Sequence, residues 1–355
     1  MYEFMHLTAM TLVVCCVPFL IKNFVPLPSE NIVKIEKGSS GRYSVFDVMR
    51  GIAILGVVLS HAGYLYIEMF TPSSNVYVEL IDASVRFVLP IFFIASGVLL
   101  VPAKKTIKGH AVFLWGRFIE LLPLYIIFTG LLAYVGELTF HEFLKNIITG
   151  EGSLPYYFIL VLIQLYILYP FIEKYAQKRM FVYLTLFFAM VMQFTPSTWY
   201  LYGVPLAFRY LFFFVWGIYI REQLLSGTFT RKVAPWLIMV FLFFVMYLVF
   251  PGQFYNVRPY YGVAMFSLLF VFFTSPHVTT RLEQYLEKVG RMSYWVYLAH
   301  FPVMQFVFGA FVFLENVHSV ITYSVLVVVG MVVSVLSGWL VKNIHMSAQT
   351  VLLGK

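Results

Sequence analysis

The chain has 355 residues, of which 61% are hydrophobic and only 11% are charged. Soluble globular domains carry about 25% charged residues, so a soluble chain this apolar could not cover its surface with polar groups. This composition excludes an ordinary cytosolic enzyme, a nucleic-acid-binding domain and a disordered chain. The two cysteines, Cys15 and Cys16, are adjacent within an apolar run, so they define neither a disulfide framework nor a metal site.

Apolar runs that approach the 20 or so helical residues needed to span a bilayer recur along the chain. A weak run covers residues 7–21, and ten stronger runs cover residues 46–67, 80–101, 112–135, 155–172, 180–194, 205–220, 234–250, 259–274, 292–314 and 320–341. Because lipid offers no partner to backbone N–H and C=O groups, these runs should be α-helices. The sequence predicts an all-α, polytopic membrane protein with a ten-helix bundle and an extra N-terminal helix. The weak first run could instead be an anchor or a signal peptide.

The lysine and arginine residues alternate between successive connections. Of the 24, 18 fall in every second connection, beginning with residues 22–45, whereas 2 fall in the other connections and 4 lie within the spans. Cytoplasmic loops carry the excess of Lys and Arg, so this pattern places the C-terminus in the cytoplasm of a multi-pass cell-membrane protein. It also explains the net charge of +8 without a nucleic-acid partner.

The alternation gives a provisional division of the chain into four parts. They are a possible N-terminal transmembrane segment over residues 1–25, a cytoplasmic linker over 26–45, a multi-helix membrane domain over 46–341 and a cytoplasmic tail over 342–355.

Arg50 and His61 lie on one face of the first strong span. Eleven residues turn an α-helix about 20° past three full turns and separate the two positions by roughly 16 Å along its axis. Asp47 precedes Arg50 by three residues and shares that face. Since charged residues within a bilayer are usually functional, the pattern indicates a fixed cation near the cytoplasm and a titratable base towards the exterior. Two structural interpretations remain: Arg50 could reach the headgroups, and His61 could be a buried, hydrogen-bonded histidine.

Other intramembrane charges also have structural interpretations. Arg117 and Glu120 are spaced for a local ion pair, as are Asp82 and Arg86. Arg209 lies near the end of its predicted helix, where an arginine side chain can reach the headgroups.

His300 lies near mid-membrane in its predicted span, with Tyr294 and Tyr297 on adjacent turns. It is either a core histidine bonded to a hydroxyl or a residue that positions the acceptor. Ser96 and Gly97 are small residues of the kind that pack helices together. The eight histidines are not spaced as zinc ligands, so no metal is expected.

Four short motifs together resemble a known family. Residues 47–61 contain an arginine and a histidine separated by ten residues, and residues 89–99 read LPIFFIASGVL. Residues 157–170 contain Tyr-Phe, a tyrosine and a proline, and residues 293–303 read SYWVYLAHFPV. In this order they resemble the motifs of acyltransferase family 3, the membrane-bound O-acyltransferases of bacterial envelopes. One departure is Glu120, which stands where the family often has a second basic residue after Arg117.

The resemblance implies transfer of an acyl group, most often acetyl, from cytoplasmic acyl-coenzyme A to a hydroxyl of an extracytoplasmic carbohydrate or envelope glycoconjugate. Acyl-CoA would be a co-substrate, with no permanently bound cofactor. His61 would be the catalytic base, and Arg50, together with Arg117, would bind the coenzyme A phosphates. The substrate-side candidates are Asp47, Arg86, Tyr294, Tyr297 and His300.

The expected partners are membrane lipid and an extracytoplasmic glycan acceptor. Because no fused extracytoplasmic domain is expected, a separate extracytoplasmic partner protein could complete the reaction. Two other classes would also carry intramembrane charges: a transporter or flippase for envelope glycans, and a membrane subunit that scaffolds other enzymes.

Overall fold

The computed structural model describes residues 43–70, 76–100, 106–193, 200–229, 232–249, 258–275, 280–310 and 319–353. These residues are predominantly α-helical, which confirms the all-α prediction. The helices are α1 (Ser44–Phe70), α2 (Val76–Ser84), α3 (Val88–Leu99), α4 (Ile107–Val135), α5 (Phe140–Thr149), α6 (Tyr157–Ala176), α7 (Arg179–Gln193), α8 (Phe208–Ser226), α9 (Ala234–Val249), α10 (Arg258–Phe273), α11 (Thr280–Arg291), α12 (Ser293–Ala310) and α13 (Ser319–Leu353). A 3-10 turn covers Leu154–Tyr156, and β1 (Tyr200–Leu201) pairs with β2 (Val204–Pro205) in a short antiparallel hairpin.

Where the structure describes them, the predicted apolar runs from residue 46 onward fall mainly on helices, and the run over residues 80–101 is divided between two helices. Within the described ranges, four segments are long and apolar enough to cross a membrane: Ser44–Glu68, Lys108–Val135, Leu154–Ala176 and Val320–Asn343. Shorter apolar helices include α7, α9 and α10. The predicted segment 1–25 and most of the linker lie outside the described residues. Helix α13 continues through the predicted tail as far as Leu353.

The prediction of one continuous span over residues 80–101 is wrong, because the structure divides this run into α2 and α3 with a turn around Arg86. Pro90 lies in the first turn of α3 and has no N–H, so it cannot donate to the Arg86 carbonyl as a continuous helix would require. Just before the turn, the Tyr261 hydroxyl donates to the Ser84 carbonyl at 2.5 Å. The break therefore places Arg86 in a turn between two short helices.

Helix α11 lies within the predicted connection between the runs over residues 259–274 and 292–314. This charged helix packs against α1, backbone to backbone. A Cβ atom on Gly290 would lie 1.7 Å from the Asp47 carbonyl oxygen, and one on Gly51 would lie 2.1 Å from the Leu286 carbonyl oxygen. Only glycine permits this approach. A search for long apolar runs misses α11 because its apolar residues form a narrow stripe.

Helix α5 lies in the connection between the predicted runs over residues 112–135 and 155–172. Thr139 and Glu142 form a capping box, in which each side chain accepts a hydrogen bond from the backbone N–H of the other residue. The Thr139 side-chain and backbone hydrogen bonds lower the pKa of Glu142. Gly150 ends the helix with a φ of 75°. The Thr-x-x-Glu signature is visible in the sequence.

Helices α3 and α8 also pack closely. A Cβ atom on Gly97 would lie 2.3 Å from the Phe214 carbonyl oxygen, and Gly217 approaches the α3 backbone in the same way. At the end of α3, the Arg221 guanidinium donates to the carbonyls of Gly97 and Leu100 at 2.7 Å each. These bonds satisfy carbonyls that have no partner within the helix, so Arg221 has a structural role.

Candidate active site

A cavity of about 950 Å³ borders one face of the C-terminal half of α1; we call it the His61 cavity. Helix α1, the loop over residues 149–155 and the first residues of α6, α8 and α10 form its walls. The lining includes His61, Arg86, Tyr157, Arg209, Arg258 and Tyr297. His61 therefore faces a polar cavity within the protein and is not pressed against lipid.

His61 forms a hydrogen-bonded pair with His300, which is fully buried on α12. Nδ1 of His61 lies 2.9 Å from Nε2 of His300, and Nδ1 of His300 lies 2.9 Å from the Val296 carbonyl oxygen. A carbonyl only accepts, so Nδ1 of His300 carries a proton and donates it. In the neutral pair, His300 Nε2 then accepts from His61 Nδ1–H. This arrangement leaves Nε2 of His61 with a free lone pair, as a general base requires.

Helix α12 is held against the 3-10 turn by two tyrosine hydroxyls. Tyr297 donates to the Pro155 carbonyl, and Tyr156 donates to the Leu298 carbonyl at 2.9 Å. In a regular helix the residue four positions later would donate to Leu298, but that residue is Pro302, which has no N–H. The Tyr156 hydroxyl donates to the Leu298 carbonyl in place of the missing N–H of Pro302. The two tyrosine hydrogen bonds fix the part of α12 that carries His300.

The turn between α2 and α3 brings further polar groups to the His61 cavity. Asp82 accepts from the Ser60 hydroxyl at 2.6 Å and forms the predicted ion pair with Arg86. Ser60 and Arg86 both line the cavity. Asp82 thus connects α1 to the broken helix and offsets the charge of Arg86.

A second cavity, of about 190 Å³, surrounds Arg50; we call it the Arg50 cavity. Three arginines from three helices line it: Arg50 from α1, Arg117 from α4 and Arg291 from α11. Asp47 is 2% exposed and accepts from Arg50 at 3.3 Å, and its other oxygen lies 3.9 Å from Nε of Arg291. One buried carboxylate therefore contacts two of the three guanidinium groups, and Arg291 also forms an ion pair with Glu287.

The local ion pair considered for Arg117 is present: its Nη1 lies 2.5 Å from Oε2 of Glu120. The same side chain also lines the Arg50 cavity, as does Glu120. The pair therefore contributes to the cavity wall, and the ion-pair and ligand-binding interpretations are compatible.

Three of the five substrate-side candidates line one or both cavities, and the other two lie behind residues that do. Arg86 lines the His61 cavity, Tyr294 lines the Arg50 cavity, and Tyr297 lines both. Asp47 lies beside Arg50, at the opposite end of α1 from His61. His300 supports His61 from behind, and Tyr297 lies in the wall that the two cavities share.

Arg258 and Arg291 are not among the candidates from the sequence, because both fall in segments interpreted as connections. Arg209, for which the sequence suggests contact with the headgroups, lies in the wall of the His61 cavity. One signal could have pointed to Arg258: it directly precedes a proline and an apolar run, as residues at the start of a helix often do. Arg291 directly follows Gly290, the close-packing residue of α11. No group of three or more His, Cys, Asp or Glu that could hold a metal ion occurs among the described residues.

An apolar helical bundle with a buried histidine pair beside a polar cavity is typical of a membrane enzyme, because ionisable groups are costly in apolar surroundings. The family profile of acyltransferase family 3, described as an acyltransferase domain, matches residues 43–342. The chain therefore belongs to this family and is a transferase that acts with acyl groups. Comparisons with curated proteins and with solved structures give no match.

Family membership favours the enzyme over the transporter and the scaffolding subunit considered from the sequence. The family and the apolar helices together indicate a multi-pass membrane protein.

Proposed function

We propose that this acyltransferase moves an acyl group, acetyl in the simplest case, from acyl-CoA in the Arg50 cavity to a hydroxyl of an extracytoplasmic carbohydrate or envelope glycoconjugate in the His61 cavity. The observation that carries the proposal is that Arg50 and His61 lie on one face of α1 and each lines a polar cavity. Tyr297 lines both cavities, so donor and acceptor would meet beside it.

The charges around the Arg50 cavity match those of the acyl donor. Coenzyme A carries phosphates that cannot enter lipid, whereas its pantetheine arm is thin and uncharged. Arg50, Arg117 and Arg291 offer planar guanidinium groups that bind phosphate with two parallel hydrogen bonds. Phosphates held there would let the pantetheine arm run along α1 over the roughly 16 Å that separate Arg50 from His61.

The histidine pair supports direct transfer. Nε2 of His61 accepts the proton of the acceptor hydroxyl while that oxygen attacks the thioester carbonyl. The new C–O bond forms, the C–S bond breaks, and the coenzyme A sulfur leaves with the proton that His61 returns. His300 keeps the His61 proton on Nδ1 during both transfers. No covalent acyl-enzyme and no bound cofactor are needed, and acyl-CoA acts as a co-substrate only.

The proposal includes an orientation in the cell membrane. The alternation of Lys and Arg supports a ten-helix bundle whose C-terminus and Arg50 cavity face the cytoplasm. The His61 cavity then opens towards the exterior, where the glycan acceptor and a separate extracytoplasmic partner protein would reach it. The division into a linker, a membrane domain over 46–341 and a tail belongs to the same proposal.

A transfer assay tests the function. The purified protein in detergent is given acetyl-CoA labelled in the acetyl group and a mixture of envelope glycans, and the label is followed by mass analysis of the glycans. We expect labelled acetyl esters on the glycans without any membrane gradient. A protein that is well folded, binds acetyl-CoA and yet transfers no label to any glycan fraction would contradict the proposal. A second measurement compares envelope glycans from cells with and without the gene.

A further inference from the structure

Arg258 is a buried cation whose charge has no counter-ion in the described part of the chain. It is 9% exposed and lines the His61 cavity, and no carboxylate among the described residues forms an ion pair with it. Residues 250–257, which precede it, contain no Asp or Glu. Two other arginines do have carboxylate partners: Arg86 is paired with Asp82, and Arg221 with Glu173 at 3.8 Å.

The two carboxylates in the wall of the His61 cavity are not counter-ions of Arg258. Glu151 pairs with Lys145 at 2.9 Å, and Glu68 is exposed near the end of α1. A buried guanidinium without a carboxylate is costly, because it loses its hydration and gains no counter-charge. Charged residues within a membrane are usually functional, and a ligand that supplies the negative charge would account for Arg258.

The backbone around Arg258 points to the same ligand chemistry. Helices α6, α8 and α10 begin at Tyr157, Phe208 and Arg258, and the first or second residue of each lines the His61 cavity. The N-terminus of a helix carries a partial positive charge and N–H groups without helical partners, so it favours anions. The starts of α8 and α10 and the Arg258 side chain therefore border one space, whereas α6 continues directly from the 3-10 turn, in which the Tyr156 N–H already donates to the Ser153 carbonyl.

Arg209 adds a second guanidinium beside the first. Arg209 and Arg258 both line the His61 cavity and also share a neighbouring void of about 10 Å³. Tyr157 and Tyr210 lie in the same wall, with 3.3 Å between their hydroxyl oxygens. One of these hydroxyls donates to the other, so the region offers an oxyanion two guanidinium groups and one phenolic O–H.

We propose that the acceptor carries an oxyanion, either a phosphate or a carboxylate, and that Arg258 and Arg209 bind it while the acceptor hydroxyl faces His61. The inference rests on the proposed function for the identity of the bound molecule as an acceptor. It narrows the acceptor from carbohydrates in general to acidic ones, such as a glycan with an acidic sugar or a phosphate-linked glycan.

Binding without an acyl donor tests this site separately from catalysis. The protein is placed in phosphatidylcholine nanodiscs and titrated with octyl glucoside, octyl glucuronide, octyl glucoside 6-phosphate and inorganic phosphate. We expect at least one of the two acidic glycosides to bind about 10-fold or more tightly than the neutral one. Preference for the glucuronide or for the sugar phosphate distinguishes a carboxylate from a phosphate site. Binding of inorganic phosphate as tight as that of the glycosides would assign the site to free phosphate and overturn the acceptor proposal.

Substitutions test whether Arg258 and Arg209 cause the preference for acidic glycosides. Arg258→Gln should weaken binding of the preferred acidic glycoside by about 10-fold and leave octyl glucoside unchanged, whereas Arg258→Lys should lose less. Arg281→Gln is the matched control, because Arg281 is exposed on α11, away from the cavity. Equal binding of neutral and acidic glycosides, or the same loss in Arg281→Gln, would overturn the proposal. If Arg258→Gln does not fold, the same titrations with Arg209→Gln, together with the preference of the wild-type protein for acidic over neutral glycosides, test the proposal.

A transfer assay on the same glycosides separates the two proposals. If no acceptor is acetylated while acidic glycosides still bind more tightly in an arginine-dependent way, the anion site is supported and the proposed function is contradicted. If the neutral glycoside is acetylated as efficiently as the acidic ones, the proposed function is supported and the anion site is contradicted.

Discussion

His61 on α1 and His300 on α12 are joined by a hydrogen bond of 2.9 Å between Nδ1 of the first ring and Nε2 of the second. The Val296 carbonyl fixes the proton of His300 on its Nδ1, which in turn fixes the proton of neutral His61 on its own Nδ1. Phe301 packs against the His61 ring at a centroid distance of 5.6 Å. The orientation and the tautomer of His61 are therefore both set by α12.

Replacing His61 should remove the base. We expect His61→Ala to lower kcat by about 10²- to 10⁴-fold, the usual contribution of a general base, with a nearly unchanged KM for acetyl-CoA. Steady-state acetyl transfer measures both constants. His141→Ala is the control, since His141 is exposed on α5. Undiminished transfer by a normally expressed His61→Ala protein would refute the mechanism.

His300 should act as a positioning residue. We expect His300→Leu to lower kcat by about 10- to 100-fold, less than the loss of the base itself. His300→Gln should recover part of this loss, because its amide oxygen can accept from His61 Nδ1–H. KM for acetyl-CoA should change little in either variant. Equal kcat losses in both variants, accompanied by a lower melting temperature, would indicate a packing role instead.

Arg50 should contribute to donor binding. We expect Arg50→Ala to raise KM for acetyl-CoA by about 10-fold or more, the value of one charge-assisted hydrogen bond to phosphate. Arg50→Lys should have a smaller effect, because it keeps the charge and loses the planar fork. Arg281→Gln again serves as control. An unchanged KM in Arg50→Ala would mean that Arg50 only anchors α1.

The contact between α1 and α11 should be intolerant of a side chain. Gly290→Ala places a Cβ atom 1.7 Å from the Asp47 carbonyl oxygen, so α11 must move away. We expect a loss of stability of about 1–3 kcal/mol, as for other overpacked sites, and a raised KM for acetyl-CoA because Arg291 moves with the helix. Thermal unfolding in detergent and steady-state kinetics measure the two effects.

Gly116→Ala is the matched control for this substitution, because a Cβ atom there has no other atom within 4 Å. Its melting temperature should be unchanged or slightly higher, since alanine favours a helix by about 1 kcal/mol over glycine. Equal behaviour of the two alanine variants would show that the helix contact is looser than the structure indicates.

Parts of the site could be predicted because they depend on one helix alone. Arg50 and His61 share a face of α1 since eleven residues make nearly three whole turns, whatever surrounds the helix. The pairs Asp82–Arg86 and Arg117–Glu120 are likewise local, and both are present. Helices α5 and α11 were missed because amphipathic helices outside the long apolar runs give a weaker pattern.

The sequence by itself determined the class of the protein. Composition and apolar run length are additive properties, so they predict an all-α membrane protein without knowledge of any contact between helices. Only the tertiary structure decided which distant residues meet. His300 is 239 positions from His61, and Arg258 comes from a segment interpreted as a loop. Their approach depends on how helices pack at glycines such as Gly51 and Gly97, and the periodicity of a single helix does not record which partner it packs against.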